Sequence, residues 1–412
     1  MENLMELAKI QDAKLEGKVI LIRVDHNVVK KGLIKDSYRI DASIETIQYI
    51  IKNGGKPIVM THVGRPKNKQ TKEIIISENT SVKPIVDYLK KRYNLNFKIA
   101  FDNKPDFAEN SYLDSLKSGE VDGLYLPNTR WFTGEESAKD TFAQQLANLA
   151  DIFVNDAFGS WQPHASTVGV TQYLPSFAGL LMQKEIANLE NVIVPKRPFL
   201  AVVAGSKFDT KIGPLTALLE SVDHLVIGGV IYNAYLSAKY GVKISGVSEE
   251  DVKSALEFVK IAEKYPEKIV ELPFVIESEI LEAKIGGKFK TSAIKDVAGH
   301  FVLDADPKSF QNEEVQNIFQ NAKTIFVNAV MGFTPHFADG TIELYKTIAN
   351  NKDAKKYFGG GDTLQEFKLN LPELFEDAKK DNSFYFFTGG GTILKAIKEK
   401  SPFGLEPVKA LL

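Results

Sequence analysis

Two glycine triplets near the carboxyl end constrain the fold of this chain most. Phe358-Gly359-Gly360-Gly361-Asp362-Thr363 follows Lys355-Lys356-Tyr357 and precedes the periodic apolar positions Leu364, Phe367 and Leu369. The pattern reads as a strand ending in a glycine turn that opens a helix. Backbone N–H groups at such a helix start can hold a phosphate, and an aspartate there can hold Mg²⁺ beside it. A single triplet also makes an ordinary turn. The second, Phe384-Tyr385-Phe386-Phe387-Thr388-Gly389-Gly390-Gly391-Thr392, repeats aromatic strand, triplet and threonine, and Ile393, Leu394 and Ile397 follow. Two adjacent strands with glycine turns at their carboxyl ends describe one nucleotide crevice in an open parallel sheet.

At 412 residues the chain exceeds a single core, which predicts two domains of about 200 residues. The formal charge of -2 supplies no global field for nucleic acid or an anionic membrane, so any anionic ligand must be held by local arginines and lysines. The absence of cysteine excludes disulfides, thiolate metal sites and a cysteine nucleophile. No apolar run reaches about 18 residues and Met1-Glu2-Asn3-Leu4 lacks a signal-peptide core, so the expected location is cytoplasmic.

Along the chain, 18–24 reads as a buried strand with Asp25-His26-Asn27 at its exit. In the bland alternative, Asp25 and Asn27 only shape a turn. Ser37-Tyr38-Arg39-Ile40-Asp41 leads into a helix with Ile40, Ile44, Ile47 and Ile51 on one face. A second strand, 57–61, ends in His62-Val63-Gly64-Arg65-Pro66. Further strands are expected at 96–101, at 121–126 (delivering Arg130) and at 152–154, with helices at 81–93 and around 142–149. Five strands with intervening helices make a doubly wound α/β domain. Its strand exits collect Asp25, Asn27, Arg39, His62, Arg65 and Arg130, a mostly basic set suited to a small phosphorylated acid. A helix over 181–194 then connects to a second half with the same grammar. Its strands are predicted at 199–203 (ending near Lys207 and Lys211), 224–227, 271–276, 301–303 and 323–327 (ending at Asn328), followed by the two triplet units. The expectation is two doubly wound parallel-sheet, Rossmann-like domains, 1–180 and 195–400, joined by a hinge helix.

Six segments carry a resemblance: Arg23-Val24-Asp25-His26-Asn27, His62-Val63-Gly64-Arg65-Pro66, Val154-Asn155-Asp156-Ala157-Phe158-Gly159, Gly205-Ser206-Lys207 with Lys211, Gly359 to Thr363, and Thr388-Gly389-Gly390-Gly391. In this order they resemble phosphoglycerate kinases from end to end. The resemblance implies 3-phosphoglycerate or 1,3-bisphosphoglycerate on the first domain, MgADP or MgATP on the second, and closure of the two for in-line transfer without a protein nucleophile. It implies a monomer whose residues 401–412 fold back onto the first domain. By the same resemblance Arg39 contacts the transferring group, Lys207 stabilises it in the transition state, and Gly361 and Gly391 supply N–H donors. Asp25, His26, Asn27, Arg39, His62, Val63, Gly64, Arg65 and Arg130 would bind the triose acid. Lys207, Lys211, Asn328, Gly360, Gly361, Asp362 and Thr363 would bind the nucleotide, with Asp362 on Mg²⁺.

The chain departs from the family pattern at several positions. Where the family has His-Arg-Ala-His, with an arginine on the substrate's fixed phosphate, this chain has Ser160-Trp161-Gln162-Pro163-His164-Ala165. Aligned without a gap, Pro163 replaces that arginine, a loss of ~2 to 3 kcal/mol in substrate affinity unless another group substitutes. Pro335 stands where the family has a ribose-binding glutamate, with Asp339 as a possible substitute. Val29 replaces a proline, and His26 an aromatic. A repurposed or weakly active relative that binds nucleotide is therefore the competing reading. A nicotinamide dehydrogenase or a Walker-type phosphohydrolase would need glycine motifs absent from the chain.

Overall fold

The strand Val19–Val24 is buried at all six positions, as expected for a parallel strand covered on both faces. Ile20, Ile22 and Val24 face one apolar core with Ile40, Ile44, Ile47 and Ile50 of the helix Tyr38–Lys52. Val19 and Leu21 face a second core with Leu116, Phe142, Leu146 and Phe153. The strand period of two thus divides one segment between two layers of helices. The computed structural model describes residues 6–100, 110–206 and 212–412.

Val19–Val24 lies inside a six-stranded parallel sheet in the order Phe97–Ile99, Gly123–Tyr125, Lys56–Met60, Val19–Val24, Ile152–Asp156, Ser176–Ala178. The sixth strand, Ser176–Ala178, is too short to show a period, which is why five were expected. A second parallel sheet runs His224–Gly228, Phe199–Gly205, Thr324–Asn328, Lys355–Gly359, Phe384–Phe387. The chain is therefore α/β with two doubly wound sheets, and the two strands that carry the glycine triplets are neighbours.

Residues 271–276 and 301–303 do not join the second parallel sheet, contrary to the reading from sequence. Phe274–Ser278 and Phe301–Ala305 pair antiparallel in a separate three-stranded sheet that also contains Phe289–Ala293. That third strand is half-exposed and carries Lys290, Thr291 and Ser292, so no apolar run announces it. The helices Gly229–Tyr240 and Glu249–Ala262 were likewise not anticipated.

The chain divides into two compact units, residues 1–187 with 402–412, and residues 188–401. It passes from one to the other within the helix Leu180–Ile193 and again at 401/402. Within the first unit the Ala8 N–H donates to the Leu411 carbonyl (3.0 Å), and the Ala178 N–H donates to the Ala8 carbonyl (2.7 Å). The carboxyl-terminal residues are thereby stitched beside the sheet edge.

Candidate active site

In the first unit, the carboxyl ends of the parallel strands gather a cluster of cations, the edge at which open α/β sheets bind ligands. Arg23 is wholly buried at the end of Val19–Val24. Its guanidinium donates to Ser166 Oγ (2.8 Å), to His62 Nδ1 (2.9 Å) and to the Val24 carbonyl. Because a guanidinium only donates, His62 Nδ1 is an acceptor and the ring carries its proton on Nε2. Burial, reinforced by Arg23, Arg130, His164 and Arg39, holds the His62 pKa well below the ordinary histidine range. Buried Glu135 accepts from the Ser166 N–H (3.0 Å) and hydroxyl (2.6 Å) and acts with Asp25 to offset the burial of the Arg23 charge. Reading from sequence gave Arg23 no role in the site, although a cation inside the run Ile20-Leu21-Ile22-Arg23-Val24 was a signal, since a charge there must be paired.

Arg39, in the first turn of Tyr38–Lys52, reaches Asp25 Oδ2 at 3.2 Å. Asn27 Oδ1 accepts from the Gly64 N–H (2.8 Å), and Arg130 Nη1 donates to the Gly64 carbonyl (2.7 Å). Gly64 has φ +61°, the left-handed region that favours glycine. Val63 contributes backbone: Asn128 grips its N–H (3.0 Å) and carbonyl (2.7 Å), while its side chain is buried. Arg65 is exposed, and its charge is felt by Arg130. The structure thus brings Asp25, Asn27, Arg39, His62, Val63, Gly64, Arg65 and Arg130 into one region. Buried Asp25 Oδ1 and Arg130 Nε lack hydrogen-bond partners among the described residues, and the latter lies 3.4 Å from Glu136 Oε1 without hydrogen-bond alignment. Pro163 is exposed. His164, next to it, is buried, with Nδ1 4.0 Å from Glu135 Oε1. Burial lowers its pKa against the pull of Glu135.

His26 differs from its expected role as a substrate ligand. Its ring is wholly buried, with Nδ1 2.8 Å from the Tyr125 hydroxyl and Nε2 2.7 Å from the Ser43 hydroxyl. Its N–H donates to Thr61 Oγ1 (2.9 Å) and its carbonyl accepts from the Val28 N–H (2.8 Å). No polar atom of this ring is left for a ligand, so the residue belongs to the framework beneath the cluster. Burial pushes its pKa down to about 3. An unfolded chain therefore takes up this proton first as pH falls, and stability is lost between pH 6.5 and about 3. The expected slope from this ring is about 1.4 kcal/mol per pH unit. Both tryptophans, Trp131 and Trp161, lie in the first unit, so urea unfolding followed by their fluorescence reports on that unit. In His26→Phe this part of the acid sensitivity should vanish, and an unchanged pH slope would refute the assignment.

In the second unit, a cavity of about 570 Å³ opens at the carboxyl ends of the parallel strands. Its lining includes Gly205, Ser206, Gly228, Gly229, Asn328, Gly360, Gly361, Asp362 and Thr363 together with the apolar side chains of Val247, Leu281, Phe301 and Phe333 and the ring of Tyr232. Gly360 caps the helix Gly361–Asn370 with φ +107°, and Asn328 Nδ2 donates to the Gly359 carbonyl (2.8 Å). The helix Gly390–Glu399 starts beside it. A Cβ on Gly390 would lie 2.4 Å from Asn328 Nδ2 and 2.7 Å from Gly360 Cα, so the close approach of the two turns requires glycine at 390. Asp362 is exposed at the helix start and Thr363 is buried. Gly391 is exposed one residue into its helix and does not line the cavity. Lys207 and Lys211 lie outside the described residues. Pro335 is exposed and does not line the cavity, and Asp339 pairs with Lys284. Among the described residues no group of three or more His, Cys, Asp or Glu side chains could cage a metal. No helix among them is long and apolar enough to cross a membrane.

The family profile described as phosphoglycerate kinase matches residues 10–400. The chain is 33% identical to the phosphoglycerate kinase of Finegoldia magna over 412 residues, covering 98% of this chain and 99% of that one. It is 33% identical to that of Dictyoglomus turgidum over 404 residues, 95% of each chain. Among solved structures, the phosphoglycerate kinase of Coxiella burnetii matches with a TM-score of 0.76 at 28% identity, covering 98% of this chain and 99% of that one. The enzyme from Pyrococcus horikoshii matches with a TM-score of 0.78 and 98% coverage of both chains, a likeness of fold at 24% identity. With both sheets, the arginine cluster and the paired glycine turns inside the matched span, the chain belongs to the phosphoglycerate kinase family.

Proposed function

We propose that the protein transfers a phosphoryl group reversibly between 1,3-bisphosphoglycerate and MgADP, giving 3-phosphoglycerate and MgATP. The observation that carries this reading is the cluster of Arg23, Arg39, Arg65 and Arg130 around strand exits, with Asp25 Oδ1 and Arg130 Nε buried and without hydrogen bonds among the described residues. Such a cluster suits a small polyanion. The cavity of the second unit suits a nucleotide, with apolar and aromatic side chains in its lining for a base and a helix start, at Gly361, for phosphates. Acyl-phosphate transfer needs charge stabilisation and exclusion of water, and no protein nucleophile. Arg39, Lys207 and N–H groups of the turns at Gly361 and Gly391 act on the transferring group, and Lys211, Asn328 and the turn at Gly361 hold nucleotide phosphates. One exposed carboxylate, Asp362, fits Mg²⁺ that takes its remaining ligands from phosphates and water. Bound there, the ion would supply charge neutralisation at the nucleotide oxygens. The substrates bind on different units, so transfer requires closure about the Leu180–Ile193 helix by a monomer in the cytoplasm. Calorimetry tests the binding half: one equivalent of MgADP and one of 3-phosphoglycerate should bind the wild type. Lys211→Ala should weaken only the nucleotide. Absence of 3-phosphoglycerate binding would favour a repurposed nucleotide-binding relative.

One observation supports that second reading, namely that exposed Pro163 puts no cation where the family has an arginine. His164 lies close enough to Glu135, Arg130 and Arg23 to feel their charges, and it is the group we assign to the phosphate in place of that arginine. Pro163→Arg should lower KM for 3-phosphoglycerate about 5- to 30-fold, equivalent to ~1 to 2 kcal/mol, since the restored charge is partly solvated, and leave KM for ATP unchanged. Equal KM values for parent and variant would show that His164 already fills the role.

A further inference from the structure

The segment Asn155–Gly159 carries part of the resemblance to the family but contributes no ligand to the proposed site. Its Asp156 ends the strand Ile152–Asp156 and is almost wholly buried. Oδ1 accepts from the Met182 N–H at 3.1 Å, in the first turn of Leu180–Ile193. The Thr46 hydroxyl also bonds this carboxyl. Thr46 Oγ1 in turn accepts from the Leu180 N–H (3.1 Å) and the Leu181 N–H (3.4 Å). Three of the orphan donors at the start of the connector helix are therefore held by one carboxyl–hydroxyl pair. Gly179 makes this possible, since a Cβ there would lie 2.1 Å from Asp156 Oδ1.

Thr46 belongs to the helix Tyr38–Lys52, seven residues, or two turns, after Arg39. That helix is pinned at its other end by Asp25 and Arg39. Val24 and Asp156 are paired across neighbouring strands, so both carboxylates spring from adjacent strand ends. We propose that Asp156 and Thr46 are positioning residues for the reaction, a latch through which the Arg39 helix and the connector helix shift together. A change at the substrate carboxylate then reaches the segment through which the chain leaves the first unit. Burial pushes the Asp156 pKa up to about 7, with Glu45 adding to the rise, so this carboxyl gains when it keeps its hydrogen-bond donors.

The test has two arms. Amide exchange at Leu180, Leu181 and Met182 in the ligand-free protein needs no assumption about the substrate. Thr46→Val should speed it about fivefold through lost capping, and Thr46→Ser should restore it. Asp25→Asn, which loosens Arg39, should speed it about threefold alone and add nothing in the Thr46→Val background. Additive effects, or no effect of Asp25→Asn, would overturn the latch. The kinetic arm rests on the proposed function: Thr46→Val should lower kcat about tenfold with KM for ATP unchanged, and Thr46→Ser should return it to within twofold. A Thr46→Val enzyme with wild-type kcat would also overturn it. If the wild type shows no turnover, the proposed reaction fails, and the exchange cycle alone decides the latch.

Discussion

Arg39→Ala is expected to lower kcat by about 100-fold or more with a smaller change in KM, because the role proposed for its positive charge is expressed mainly in the transition state. Arg39 suits that role through its place in the first turn of Tyr38–Lys52, half-buried and anchored on Asp25. The anchor holds the guanidinium in place before substrate arrives, which lowers the cost of ordering it later. Lys207→Ala is expected to show the same signature, on the strength of its place in Gly205-Ser206-Lys207. Single-turnover kinetics separates chemistry from binding. A rise in KM alone, at either residue, would contradict a role on the transferring group.

Gly390→Val is expected to raise the Kd for ATP by about 30- to 100-fold, an overpacking effect of ~2 to 3 kcal/mol. Gly390 is buried and does not itself line the cavity, so direct contact with a ligand is not the cause. The added carbon would press on Gly360 N at 2.8 Å and on Asn328 Nδ2 at 2.4 Å. Both residues line the cavity, so the first glycine turn would be forced away from the phosphates. Trp131 and Trp161 report only on the other unit, and their unfolding midpoint should stay unchanged. Wild-type affinity in a folded Gly390→Val variant would show that the turns do not depend on each other.

The parallel sheets were legible because buried parallel strands are written as continuous apolar runs, such as Ile20-Leu21-Ile22 and Leu200-Ala201-Val202-Val203, with glycine or polar residues at their ends. The pairing of the two glycine turns was legible for the same reason. The three-stranded antiparallel sheet was not, because Phe289–Ala293 is recognisable only once Phe274–Ser278 is beside it. The placement of the cations was partly hidden too. A polar residue after a strand can face ligand or interior, and nothing local in Asp25-His26-Asn27 tells that the middle ring turns inward to Tyr125 and Ser43, residues 99 and 17 positions away. Arg23 was hidden by the opposite rule, since its neighbours mark a core strand while its partners, His62 and Ser166, come from distant loops.

The retained Arg39, Lys207, Lys211 and Asp362 point to transfer, whereas Pro163 and Pro335 point to a weakened relative. One assay separates them: ATP and 3-phosphoglycerate with Mg²⁺, coupled to reduction of the acyl phosphate formed. The account predicts steady turnover that requires both substrates and is lost in Lys207→Ala. Binding of MgATP without any 3-phosphoglycerate-dependent turnover would contradict it.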